Sequence, residues 1–294
     1  MAGISAAATD NLGASAYKRR PSWVAWLVFA PLAAWLILFV IVPTLTLVAL
    51  SFGEQRGLGT IEFTFTLENY QRAFNWTWLK VFWTSIWYAL LTTGICMVIG
   101  YPVAYYIGRS PENMRNMLLT LVMIPFWTSF LIRTYAWITI LSKEGLINSF
   151  LVAAKIVPEP ITILYTPFAA VLGLVYNYLP FMILPIYTSV ERLDNAMIEA
   201  AYDLGARPVR AFSQIIIPLT SPGIVAGALL VFVPSIAMFA ITNLMGGGDP
   251  PTIGEVIYKQ FTSGRAQPFG AALGTLLLLI FIFTLWIGRR RSEE

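Results

Sequence analysis

The chain has 294 residues, of which 57% are hydrophobic and 12% are Asp, Glu, Lys or Arg, with a mean hydropathy of +0.71. Globular chains carry about 25% charged residues, so this composition excludes a soluble globule and defines an integral membrane protein. The net charge of +4 marks orientation at the ends of apolar runs and not nucleic-acid binding, while one cysteine (Cys96) and no histidine exclude an intrachain disulfide, Cys-based metal sites and Ser-His chemistry.

In chain order, residues 1–22 are small and polar and contain Lys18, Arg19 and Arg20, which predicts a disordered cytosolic tail ahead of a signal anchor. A first transmembrane helix is expected over 23–50, an external loop over 51–80, a transmembrane core over 81–288 and a cytosolic tail over 289–294. Within the core, spans are expected at 81–107, 117–141, 168–190, 224–245 and 269–288. The six runs are 20 to 28 residues long, enough to cross a hydrocarbon core of about 30 Å as helices, whereas barrel strands would be half as long and alternate. The fold class is therefore all-α integral membrane, with kinks expected at Pro31, Pro43, Pro102, Pro125, Pro180, Pro185 and Pro234.

With both termini inside, eleven Lys and Arg fall in cytosolic segments against seven in the external segments 51–80, 142–167 and 246–268, the last of which carries the turn signal Gly246-Gly247-Gly248-Asp249-Pro250-Pro251. No internal repeat is present, and the spans contain no carboxylate, which disfavours an ion-coupled secondary transporter. A membrane-embedded enzyme would need clustered His, Cys or carboxylate groups, which are equally missing from the spans.

The cytosolic stretch 191–223 is the most specific. Asp194 is a good N-cap, Met197, Ala200, Ala201 and Leu204 recur on one helical face, and Glu199 and Asp203 share another. Gly205 suits the left-handed position that ends such a helix. Pro208 suits the first position of a second helix in which Val209, Phe212 and Ile216 share a face and which Pro218 stops. Two short helices result, the first exposing alanines for close approach by a partner.

Glu199-Ala200-Ala201, three residues, Gly205, nine residues and Ile215-Ile216-Ile217-Pro218 resemble the EAA loop of ATP-binding-cassette importer permeases, matching six of its seven fixed positions, with Ile217 for the usual Leu. The resemblance implies that Glu199, Ala200, Ala201, Asp203, Gly205 and Pro218 couple to an ATPase. Residues 125–137, 177–182 and 221–223 look like the spermidine/putrescine permease branch of that family. By resemblance, then, the chain is a non-catalytic permease subunit in a bacterial inner membrane. Its partners would be a second permease subunit, an ATPase subunit dimer, an extracytoplasmic solute-binding protein and membrane lipid, with no nucleic acid. No nucleotide-binding G-x-x-x-x-G-K-[ST] motif occurs, so no cofactor is expected on this chain, and ATP and Mg would be used by the ATPase. The alternative cargo is another small solute of the same importer class: phosphonate, sulfate, ferric iron or an amino-acid derivative.

Arg133, the one charge within the runs, lies sixteen residues into the third, where it either lines the solute path or gate, or snorkels to the outer headgroups or makes an interhelical hydrogen bond. Tyr135, Trp137, Tyr176, Asn177 and Tyr178 complete the candidate path, offering aromatic faces and polar groups to a cation, against the alternative of an interfacial aromatic belt.

Overall fold

The computed structural model describes residues 22–56, 60–264 and 266–293, so the expected cytosolic tail lies outside the described residues except for Ser22. The chain divides into two units, one ending at Leu47 and one beginning at Val48.

In the first unit α1 (Ser22–Leu36) runs through a π turn (Ile37–Ile41) into α2 (Val42–Ser51). Pro43 has no N–H for the α-helical ladder, and its ring would meet the carbonyl four residues back. The turn widens just before it, the Val42 N–H reaching the Ile37 carbonyl five residues back.

The second unit takes in the end of α2 from Val48 and continues with paired two-residue strands β1 (Glu54–Gln55) and β2 (Ile61–Glu62), then α3 (Glu68–Ala73) and α4 (Trp76–Arg109). A broken third span follows as α5 (Glu112–Met123) and α6 (Phe130–Leu141), then α7 (Leu146–Ala153), α8 (Pro167–Glu191), α9 (Asn195–Asp203) and α10 (Pro208–Ala211). The chain closes with α11 (Ile217–Ala237), α12 (Ala240–Gly246), α13 (Ile253–Thr262) and α14 (Gln267–Glu293). Among the described residues five helical stretches are long and apolar enough to span a membrane, six if the bent third pair counts as one.

The core centres on α8, two-thirds of whose span is buried against roughly a third in α4, α11 and α14. Small residues permit that. Gly100 of α4 and Gly227 of α11 both close on Met182 of α8, and a Cβ on Gly227 would stand 2.9 Å from the Met182 sulfur. In lipid, where apolar surface alone does not drive helices together, such close backbone approach is what packing needs. A second cluster joins Phe82 of α4, Ile253 and Val256 of α13 and Phe269 of α14.

Three expectations are corrected. The run 117–141 is not one helix: a 3-10 turn (Ile124–Trp127) and the extended Thr128 separate two arms whose axes are bent by 88°. Pro125 has no N–H to extend the α5 ladder, and Ser129 starts α6 afresh, its carbonyl accepting the Arg133 N–H. The run 224–245 is likewise broken. Its helix ends at Ala237, where Met238 is extended (φ −68°, ψ 107°), and α12 is separate. Space explains this: the start of α13 lies on the end of α11, so that any Cβ on Gly254 would collide with the Ala237 carbonyl, and the Ile253 N–H donates to Ser85 Oγ of α4 at 2.7 Å. Finally, Pro218 does not stop a helix. A π turn (Phe212–Ile216) carries α10 into α11 as one 30-residue rod, Pro208–Ala237, with the Ile217 N–H bonded to the Phe212 carbonyl. As at Pro43, the proline follows the widened turn.

Candidate functional site

At the Glu191 end of α8, the Asp194 carboxylate accepts the Ala196 N–H at 2.9 Å and starts α9. Gly205 ends the helix at φ +79° with nothing near a hypothetical Cβ, so it is the backbone conformation and not crowding that requires glycine there. Glu199, Ala200 and Asp203 are exposed, as are Met197, Leu204 (89%) and Val209 (79%). Ala201 is not: it is 6% exposed and turned inward, so one alanine and not both lies on the open face. Large apolar side chains left open beside two carboxylates form a surface suited to a partner with apolar and cationic groups.

This surface is tied to the bundle by contacts the sequence did not reveal. The Arg109 guanidinium, at the last residue of α4, donates to Asn195 Oδ1 on the first residue of α9. Tyr101 and Tyr105 of α4 both meet Phe212 edge-on, at 5.6 and 6.2 Å between centroids, and Tyr101 shares a hydrogen bond of 3.0 Å with Thr220 of α11. Arg115 of α5 pairs with Glu191 of α8 at 2.9 Å.

The expected path residues separate into groups. The bend of the third span folds Phe126 back over Arg133, whose guanidinium carbon lies 5.5 Å from the Phe126 centroid and 6.0 Å from that of Tyr176. Trp137 meets Tyr176 edge-on at 5.4 Å. Arg133 Nε and Nη1 are buried with no hydrogen-bond partner among the described residues. Arg133, Trp137 and Tyr176 are therefore assembled, with Arg133 in the first turn of α6 and not far along a straight span. Tyr178 and Asn177 instead belong to the packed interior, 7% and 5% exposed, and Asn177 Nδ2 donates to the Gly173 carbonyl at 2.9 Å. Tyr135 stands apart, 57% exposed, on a depression at the Pro167 end of α8.

That depression measures about 530 Å³ and is also lined by Tyr165, Asn243, Gly247 and Asp249. Tyr165 is held at φ +63°, a strained setting for a bulky residue, with its N–H on the Met245 carbonyl at 2.8 Å. Behind its wall lies Glu255 of α13, 1% exposed. Its Oε1 accepts from Asn243 Nδ2 at 2.9 Å and pairs with Lys259 Nζ at 2.6 Å. The segment 246–268, expected as a loop, thus contains a helix with a buried carboxylate. Thr252-x-x-Glu255 before Val256, a capping-box pattern, was the signal available for the start of the helix.

An apolar helix packed between the membrane-length helices α4 and α11, with an exposed helical loop at one end, defines an all-α multispan membrane protein. Residues 97–292 match the family described as "binding-protein-dependent transport system inner membrane component". The spermidine/putrescine transport system permease protein PotB of Escherichia coli (strain K12) is 42% identical over 262 residues, covering 89% of this chain and 95% of that protein. PotB of Haemophilus influenzae is 42% identical over 256 residues, covering 86% and 90%. The crystal structure of a bacterial ABC transporter involved in the import of the acidic polysaccharide alginate superposes with a TM-score of 0.69 at 19% identity, covering 92% of this chain and 96% of that one, a likeness of fold. The chain belongs to the family of binding-protein-dependent transport system inner membrane components. It is a transport component and not an enzyme.

Proposed function

We propose that the chain is one of two permease subunits of an ATP-driven importer of polyamines such as spermidine and putrescine. A dimeric ATPase binds at the α9 end, using ATP and Mg, and an extracytoplasmic binding protein delivers cargo at the other. The observation that carries this reading is the open face of α9, with Glu199, Ala200, Asp203 and Gly205 at one end of α8 and the Arg109 to Asn195 tie behind it. The 42% identity to polyamine permeases over most of the chain supports the cargo.

In this reading the ATPase grips α9, with Glu199 and Asp203 meeting its cations. Closure on nucleotide moves α9 and α10, and the continuous helix beyond Pro218 carries the displacement into the bundle. Ala201 and Pro218 act from inside, Ala201 by packing α9 and Pro218 by maintaining the π turn. Arg133, Trp137, Tyr176 and Tyr135 face the solute path, while Asn177 and Tyr178 hold α8 in place beside it. Both termini are cytosolic.

The assembled transporter in proteoliposomes is expected to hydrolyse ATP several-fold faster with spermidine-loaded than with empty binding protein, and to accumulate spermidine. Stimulation by sulfate or an amino acid and not by polyamine would overturn the cargo. Orientation is checked by single cysteines in a Cys96→Ala background. An impermeant thiol reagent added outside is expected to label Glu144→Cys and Glu159→Cys, which replace exposed residues, and to spare Glu112→Cys and Arg207→Cys.

A further inference from the structure

Glu255 is the one charged side chain in the buried set among the described residues. A carboxylate removed from water needs partners for both oxygens. Oε1 has two, Asn243 and Lys259, but Oε2 is buried with none. Nor does the group serve the start of its own helix. In a capping box Glu255 would reach back to the Thr252 N–H. Instead Thr252 Oγ1 shares a hydrogen bond of 3.2 Å with Thr242, and the carboxylate is turned across to α12.

What does reach Glu255 is an ammonium on a methylene chain. The Lys259 side chain is 53% exposed, yet its nitrogen sits on a carboxylate group that is 2% exposed. The 246–251 turn lies over the carboxylate so closely that a Cβ on Gly248 would come within 2.6 Å of Oε1 and 3.3 Å of Oε2, so backbone without a side chain covers the group. The adjoining depression presents a second carboxylate, Asp249, and the rings of Tyr135 and Tyr165. Acidic groups beside aromatic faces are the chemistry that holds an alkylammonium.

We propose that Glu255 is a seat for a primary ammonium of the cargo, reached when the 246–251 turn lifts, with Oε2 as the unpartnered acceptor and Lys259 as a resident ammonium that keeps the seat neutralised until cargo arrives. The cargo nitrogen takes Oε2, Lys259 swings out to water, and the methylene chain lies along Tyr135 and Tyr165 with Asp249 near the next nitrogen. The proposal rests on the polyamine reading and adds to it the acidic group that the spans lack.

The competing role is structural, Glu255 tying α12 to α13 through Asn243. Glu255→Gln separates the two, because its amide oxygen still accepts from Asn243 while the charge is gone. The measurement is spermidine accumulated per ATP hydrolysed by the full transporter in proteoliposomes with saturating loaded binding protein. Glu255→Gln is expected to lower that yield roughly fivefold or more, as loss of a charge-assisted contact to the cargo would. Lys259→Met should leave the yield at or above wild type, and the double variant should be as poor as Glu255→Gln. A wild-type yield from Glu255→Gln overturns the seat. So does a fall in both single variants with recovery in the double, the signature of a structural ion pair. If Glu255→Gln does not assemble, Lys259→Met decides alone, and a yield below wild type overturns the proposal. Failure of the wild-type transporter to move any polyamine strikes instead at the importer's cargo.

Discussion

At the Glu191 end of α8, Glu199, Ala200, Asp203 and Gly205 lie on one short helix and its stop, open to solvent; at the Pro167 end, Asn243, Asp249 and Glu255 come from α12, a turn and α13, and the acid is sealed. The 25 residues of α8 put about 37 Å between them. In the proposed reading the first end is a contact surface, whose chemistry must be on display for another protein to find it. The second is an interior, where a charge is kept from water and acquires meaning only through what is packed around it.

Disabling the open end should have the largest effect. Gly205→Val forces a β-branched residue into a left-handed conformation, and Glu199→Lys reverses a charge in the proposed ATPase contact. Each is expected to cut uptake by about tenfold or more while insertion, followed by protease accessibility, is unchanged. Retained transport would reduce α9 to an ordinary loop. The shared axis comes next. Gly227→Leu places a side chain where Met182 already lies 2.9 Å from a Cβ, and overpacking of that kind costs about 1 to 3 kcal/mol, to be seen as a lower unfolding temperature in detergent. An unchanged midpoint would mean that α8 and α11 are not clamped there. The smallest effect is expected from Arg109→Ala, which removes one exposed charge-assisted hydrogen bond to α9. Uptake per ATP should fall by roughly threefold with ATP hydrolysis maintained, and parallel loss of both would show that Arg109 supports folding instead.

The same contrast decides what could be read in advance. Asp194, Gly205 and Pro208 act through their own backbone positions, so spacing was enough to place α9 and the start of α10. Runs of apolar residues located the membrane helices because length and hydropathy are properties of a segment. The breaks at Thr128 and Met238 lie inside runs of continuous apolarity, where hydropathy does not register a change of backbone direction. The face of α9 was read one position off: periodicity grouped Ala201 with Met197 and Leu204, but whether a residue on the edge of a face packs or stays open depends on the neighbouring helix. Arg133 was singled out as the lone charge, yet its aromatic neighbours exist because the third span bends. Glu255, outside every apolar run, read as part of a solvated loop, because only the return of α13 against α11, α4 and α14 makes it interior.

The uninterrupted course of the chain from Pro208 to Ala237 makes a lever of 30 residues, about 45 Å long. Its foot is the segment after Gly205; its tip is the Ala237 carbonyl on which the Gly254 backbone rests, one residue from Glu255. A tilt of about 10° at the foot would sweep the tip through about 8 Å, some five residues of helical rise. Glycine at 254 leaves no side chain to absorb that stroke, so backbone bears directly on backbone. The two ends of the bundle, chemically unlike, are joined by one continuous helix.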